Sequence, residues 1–168
     1  MLPLAAAMLH PAAAAPRDIA LTPQSAEIGF RAYALGLFPV DGVFHRFSGT
    51  LTLDPELAAC TVTVTVETGS LSMDDRAVEQ AVLGPGLLDA AAFPAMTYAG
   101  QCAADGKSIA GTLTMHGVTR PLALQVQRDG SKYVAQSALR RADWGIRGQP
   151  VLAGPTIRIK VSTTVPVP

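Results

Sequence analysis

The sequence carries no excess of either charge. Lys plus Arg and Asp plus Glu both number 13 in 168 residues, so the formal net charge is zero. That balance removes the basic footprint of a nucleic-acid binder or of a protein drawn to an anionic membrane surface. Charged residues of any kind make up only 15% and aromatic residues only 5%. The three histidines, His10, His45 and His116, have no metal-ligand spacing with one another or with the cysteines. Cysteine occurs twice, at Cys60 and Cys102, and never as C-x-x-C, so no zinc or thiol-redox motif is present. H-E-x-x-H, G-x-S-x-G, the phosphate-binding loop and G-x-G-x-x-G are missing as well. Apolar runs are too short and too interrupted to cross a bilayer as a helix. What is present is apolar, at 49%, which is too much for a disordered chain, and the length suits one domain with a real core.

The first residues differ from the rest. Met1–Pro16 reads MLPLAAAMLHPAAAAP, with no Lys or Arg before Arg17. Its small residues Ala12–Ala15 offer A-x-A-type cleavage, which reads as the end of a secretory signal lacking a basic start. Residues 1–15 are therefore expected to be an export signal and residues 16–168 a single domain. In an exported domain the two cysteines can form one bridge; in a reducing compartment they stay free.

The remainder alternates with period two, the signature of strands with one buried face. Thr61–Val66 reads TVTVTV, valine inward and threonine outward. Ser25–Tyr33 places Ala26, Ile28, Phe30 and Ala32 on one side. Val43–Leu53 places Val43, His45, Phe47, Gly49, Leu51 and Leu53 on one side. Thr156–Ser162 turns Ile157, Ile159 and Val161 inward. From Met96 to Leu139 the turn signals Asp105–Gly106, His116–Gly117 and Asp129–Gly130 separate four more strands into an antiparallel meander. The total is about eight strands, a set that must roll up or pair with a second sheet. Between the third and fourth strands, Ser72-Met-Asp-Asp75 supplies a helix start with acid in its first turn. Ala77, Val78, Ala81 and Val82 follow at helical spacing, and Gly84–Pro85 stop the helix. Leu87–Ala92 reads as a second short helical turn. Cys60 opens the third strand and Cys102 closes the fourth, so antiparallel pairing would bring them to the same end.

Several segments, in order, resemble the YceI-like polyisoprenoid-binding family. They are Val43-Phe44 leading into Phe47-Ser48-Gly49, then Glu67-Thr-Gly-Ser-Leu71, and Leu88-Asp-Ala-Ala-Ala-Phe-Pro94. The most specific are Gly111-Thr-Leu-Thr-Met-His-Gly-Val-Thr-Arg-Pro121 and Arg141-Ala-Asp-Trp-Gly-Ile146. The resemblance implies an all-β, extended lipocalin-like antiparallel barrel. It also implies a bacterial periplasmic protein that carries an isoprenoid or another long-chain amphiphilic lipid, without catalysis or cofactor. Homodimers occur in the family, and a carrier of membrane lipid implies transient membrane contact.

On that reading the tail would lie against Ile28, Phe30, Phe47, Val62, Val64, Leu113, Leu124 and Ile159. Gly49 and Gly111 would leave room inside the lumen. Three residues are candidates for the head group or mouth: His45 on the inward face of its strand, Arg141 as a partner for an anionic head, and Trp144 as a cover. Each also has a plain structural reading, as does Arg120 beside its turn. Two other functions stay open: an enzyme using the same lumen, with His45 as its acid or base, and an accessory partner of a membrane redox complex, with an exposed apolar patch.

Overall fold

The computed structural model describes residues 14–54 and 59–165. The expected export signal lies, but for Ala14 and Ala15, outside the described residues.

The alternating segments form strands, and the described residues make an antiparallel sheet of eleven. In chain order they are β1 (Arg17–Leu21), β2 (Ala26–Ala34), β3 (Phe38–Phe44), β4 (Phe47–Asp54), β5 (Ala59–Glu67) and β6 (Leu71–Met73). A helix, α1 (Arg76–Leu83), follows. Then come β7 (Ala95–Cys102), β8 (Ser108–Met115), β9 (Val118–Asp129), β10 (Lys132–Arg140) and β11 (Thr156–Thr164). Neighbours run in the order β1-β4-β5-β7-β8-β9-β10-β11-β2-β3-β6.

This corrects the expected count of about eight. Two short strands, β1 and β6, carry too few residues to show a period. The segment 43–53 is not one strand. It bends at His45 and Arg46, whose backbone groups leave the ladder: the His45 N–H donates to Ser70 O, and Glu67 N–H donates to Arg46 O. The Arg46 guanidinium also pairs with the Glu67 carboxylate across this corner. Through that bend β3, next to one margin of the sheet, becomes β4, next to the other. The chain thus curls the sheet, yet β1 and β6 remain its two unjoined margins. The result is a half-barrel rather than a closed barrel.

The meander turns follow their sequence signals. His116 and Gly117 both hold positive φ, at 53° and 71°, between the paired residues Met115 and Val118. That is the twisted two-residue turn a hairpin favours. The helix begins later than Ser72 because residues 71–73 are drawn into β6. Its cap is Asp75, whose carboxylate accepts the N–H groups of Ala77 and Val78. Leu87–Ala92 forms turns instead of a second helix.

Valine and leucine turn inward as the alternation requires. Along β5, Cys60, Val62 and Val66 are buried while Thr61, Thr63 and Thr65 are exposed. The core runs through every long strand, from Leu21 and Ile28 to Leu122, Leu124 and Leu139. Cys60 and Cys102 stand opposite each other where β5 pairs with β7, their Cα atoms 5.0 Å apart, and form a disulfide.

Candidate functional site

Curling an apolar face inward without filling it leaves a cavity of about 1330 Å³. This exceeds the roughly 300–1,000 Å³ typical of compact small-molecule sites. Its wall is built mainly from Val, Leu, Ile, Ala, Phe and Met side chains of nearly every strand. Ala77, Val78, Ala81 and Val82 of α1 close part of it. No residue of this helix is fully buried, so the helix lies over the cavity instead of inside the core.

Seven of the expected tail contacts face this space: Ile28, Phe30, Val62, Val64, Leu113, Leu124 and Ile159 all border it. Phe47 does not. It is buried in the core at the start of β4, directly after the bend, and stands outside the cavity wall.

The expected glycine space is also misplaced. Neither Gly49 nor Gly111 borders the cavity. A Cβ at Gly49 would come within 2.4 Å of Thr63 O, and one at Gly111 within 2.5 Å of both Ala99 O and the Tyr98 hydroxyl. Both glycines therefore allow close packing of the wall on itself.

Two polar groups that face the cavity, Tyr98 and Arg141, are already engaged. The Tyr98 hydroxyl donates to Leu122 O at 3.0 Å, and burial pushes its pKa up to about 12. Arg141 is buried and borders the cavity. Its guanidinium donates to four carbonyls, those of Ile146, Gly148, Ala153 and Gly154, at 2.7–3.0 Å. Burial lowers its pKa. The carbonyl cage supplies the hydrogen bonds that an acidic partner would otherwise give, and it ties the irregular stretch 146–154 to the end of β10. Arg141 thus acts first as a structural clamp.

Trp144 is placed as a core residue. It is 3% exposed, its Nε1 donates to Leu113 O at 3.0 Å, and it does not border the cavity. His45 is exposed at the bend and lies outside the cavity wall, against the inward placement expected from alternation. The bend takes up two residues between the inward Phe44 and Phe47, so the alternating pattern slips there. Arg120, exposed, donates to Asp143 O at 3.2 Å and props the same turn. Among the described residues no group of three or more His, Cys, Asp or Glu side chains is arranged to hold a metal ion.

Exposed residues border the cavity at both ends of the half-barrel. Antiparallel neighbours put alternate connections at opposite ends. One end, with the disulfide and the β7–β8 and β9–β10 connections, presents the exposed Arg17 and Arg128 and the half-buried Asp54 along the cavity edge. The other end, with the β2–β3 and β10–β11 connections, presents Gln149 and Leu152. These rim residues carry no periodic signal and were not legible as site residues.

The family of YceI-like domains matches residues 20–165. The chain belongs to the YceI-like family. Among its relatives is a UPF0312 protein of Vibrio cholerae, 27% identical over 86% of this chain and 85% of that protein. A UPF0312 protein of Enterobacter sp. strain 638 is 34% identical over 64% of this chain and 58% of that protein. Solved structures of similar shape include BcnA of Burkholderia cenocepacia, with a TM-score of 0.70 at 18% identity over 84% of this chain and 96% of that one. A polyisoprenoid-binding domain from Saccharophagus degradans gives 0.58 at 15% identity, over 84% of this chain and 94% of that domain. At such identities these two structures establish the YceI-like fold and nothing finer.

Proposed function

We propose that this chain binds one long-tailed amphiphilic lipid, an isoprenoid such as a polyprenyl or quinone-like molecule, and carries it through the periplasm. The observation that carries the reading is the open apolar cavity of about 1330 Å³. An extended hydrocarbon tail suits it, because burial of each CH₂ group from water is worth about 0.8 kcal/mol. A tail arriving from a bilayer leaves one apolar medium for another, so exchange stays near neutral, as a shuttle requires. The Tyr98 hydroxyl and four of the five Arg141 N–H groups donate to backbone carbonyls, so the deep cavity favours the tail and leaves the head at a rim. The likeness to the polyisoprenoid-binding domain of Saccharophagus degradans supports the ligand class. Export is supported by the Ala-rich start of the sequence and by the Cys60–Cys102 disulfide, which persists in an oxidising compartment. The function needs no catalytic group and no cofactor besides the lipid. An enzyme in the same lumen rested on His45, which is exposed.

The test is native mass spectrometry of the protein purified from its own host, followed by titration with quinone and polyprenyl analogues. A bound lipid and saturable titration are expected, both abolished when Val64→Phe and Ile159→Phe fill the cavity. A folded protein that carries no lipid and titrates with none of the analogues overturns the reading.

A further inference from the structure

We propose that the apolar tips at the β2–β3 and β10–β11 end of the half-barrel form a docking surface for a lipid bilayer with anionic headgroups. The proposal rests on the lipid-carrier reading, since a carrier must meet the membrane that holds its cargo.

Among the described residues, the large hydrophobic side chains that are exposed gather at one place. Leu35 (51%), Leu37 (77%) and Phe38 (60%) form the β2–β3 turn, while Val151 (77%) and Leu152 (56%) form the tip of the β10–β11 connection. The two tips are stitched into one patch. The Leu35 N–H donates to Leu152 O at 2.9 Å, and Ala34 bridges to Ala153. The patch is continuous with the cavity, because Leu152, Ala34 and Ala153 also border it.

The backbone adds an independent observation. Leu35 holds φ at +52°, and Gln149, at the foot of the second tip, also holds +52°. Glycine or asparagine occupies that region at little cost, whereas leucine resists it. A strained, half-exposed leucine at a turn tip is a poor choice for stability and a sound one for an apolar contact.

Shape and charge select the occupant. Two protruding tips make a convex knob, which a bilayer accepts without a complementary surface. A stable protein interface needs about 800 Å² of matched surface on each partner. The tips are flanked by Arg31, Arg147 and Arg158, all exposed. Arg31 and Arg158 stand opposite each other across β2 and β11, with Asp41 pairing Arg31 at 2.7 Å. The arginines therefore outnumber their carboxylate beside the patch, although the whole chain is neutral. Of the acids that begin α1, Asp75 caps the helix and Glu79 accepts the Met73 N–H, while Asp74 is exposed. Apolar tips with arginines on the adjoining strands and connection match an interface of anionic headgroups over hydrocarbon.

The experiment is flotation of the full-length mature protein with vesicles of phosphatidylethanolamine and phosphatidylglycerol, beside vesicles of phosphatidylcholine alone. Two variants are compared: Leu37→Ser with Val151→Ser, and Leu35→Asn. Parent protein is expected to float with the anionic vesicles, less so in high salt, and more weakly with phosphatidylcholine. Both variants should lose at least about tenfold in vesicle affinity. Leu35→Asn should melt no lower than parent, because asparagine tolerates the left-handed backbone, so its loss of binding is not unfolding. Binding of a decyl-tailed quinone added from solution is measured alongside, since none of the substituted residues borders the cavity. Equal flotation of parent and variants overturns the proposal, as does no flotation of parent. A parent dimer that these substitutions dissociate overturns it too, in favour of a second copy as occupant. Failure to bind the quinone would instead count against the carrier reading, whatever the vesicles show.

Discussion

The ring of Tyr98 occupies the space that a side chain at Gly111 would need. The two lie on adjacent strands, and a Cβ on Gly111 would stand 2.5 Å from the Tyr98 hydroxyl and equally close to the backbone of Ala99. The glycine thereby lets the tyrosine lie along the wall and reach Leu122 O instead of projecting into the lumen. Gly111→Ala should destabilise the fold by about 1–3 kcal/mol, because a backbone oxygen cannot step aside as a flexible side chain can. Urea denaturation measures the loss. An unchanged midpoint would show that β7 and β8 yield freely, contrary to this packing.

Tyr98 has a second consequence, in alkaline solution. An unfolded phenol ionises near pH 10, and burial raises the folded value to about 12. Between those values the unfolded chain releases a proton that the folded chain keeps, so stability falls as pH rises. The contribution is fully present below pH 10 and is lost as pH climbs through about 12. Absorbance titration of phenolate should resolve one group ionising near pH 12 that Tyr98→Phe removes. If the ionisation lost in that variant lies near pH 10 instead, Tyr98 is open to water and the wall is looser than described.

Much of this wall was legible beforehand, and the reasons are local. TVTVTV can bury only its valines in a sheet, and the observed β5 does so. His116–Gly117 admits the positive φ its turn demands. Period two placed eight residues inward, and seven of them border the cavity, all but Phe47 just beyond the bend. What escaped depends on partners far away in sequence. The three residues of β6 cannot display a period, and they became a strand only because β3 offered an unpaired edge. The slip at His45 is decided by Ser70 and Glu67, which hold the backbone at the bend. Arg141 finds its acceptors in an irregular loop, where no pattern announces a carbonyl. The apolar tips were invisible for the opposite reason: Leu35–Phe38 looks like core sequence, and only the tertiary fold exposes it.

The disulfide closes a long loop containing β6, α1 and the turns that follow. Its cysteines are 42 residues apart, and a loop of that length is worth about 4 kcal/mol in the chain-entropy model. Replacing both cysteines by alanine should lower stability by about 2–4 kcal/mol without altering the strand register, because Cys60 and Cys102 already face each other in the β5–β7 ladder. The parent in reducing buffer should behave like the double variant. Calorimetry checks both. A double variant as stable as the oxidised parent would show that the loop is already restrained in the unfolded chain.

Arg141 offers the sharpest division between a clamp and a ligand contact. Lysine keeps the charge but presents one ammonium where the guanidinium reaches four carbonyls from a planar fork. Arg141→Lys should therefore leave some of the carbonyls of Ile146, Gly148, Ala153 and Gly154 without donors, at a cost of about 2–4 kcal/mol. Trp144 is the sole tryptophan, lies in the same short turn and is 3% exposed, so its fluorescence reports the loss directly. Redder emission and faster amide exchange over residues 146–154 are expected in the variant, along with a lower midpoint in urea. For a clamp, lipid-analogue affinity should fall no more than this loosening of the rim accounts for, and it should not depend on the charge of the head group. Were Arg141→Lys to keep parent stability yet discriminate anionic from neutral heads, the arginine would belong to the ligand and the carbonyl cage would be secondary.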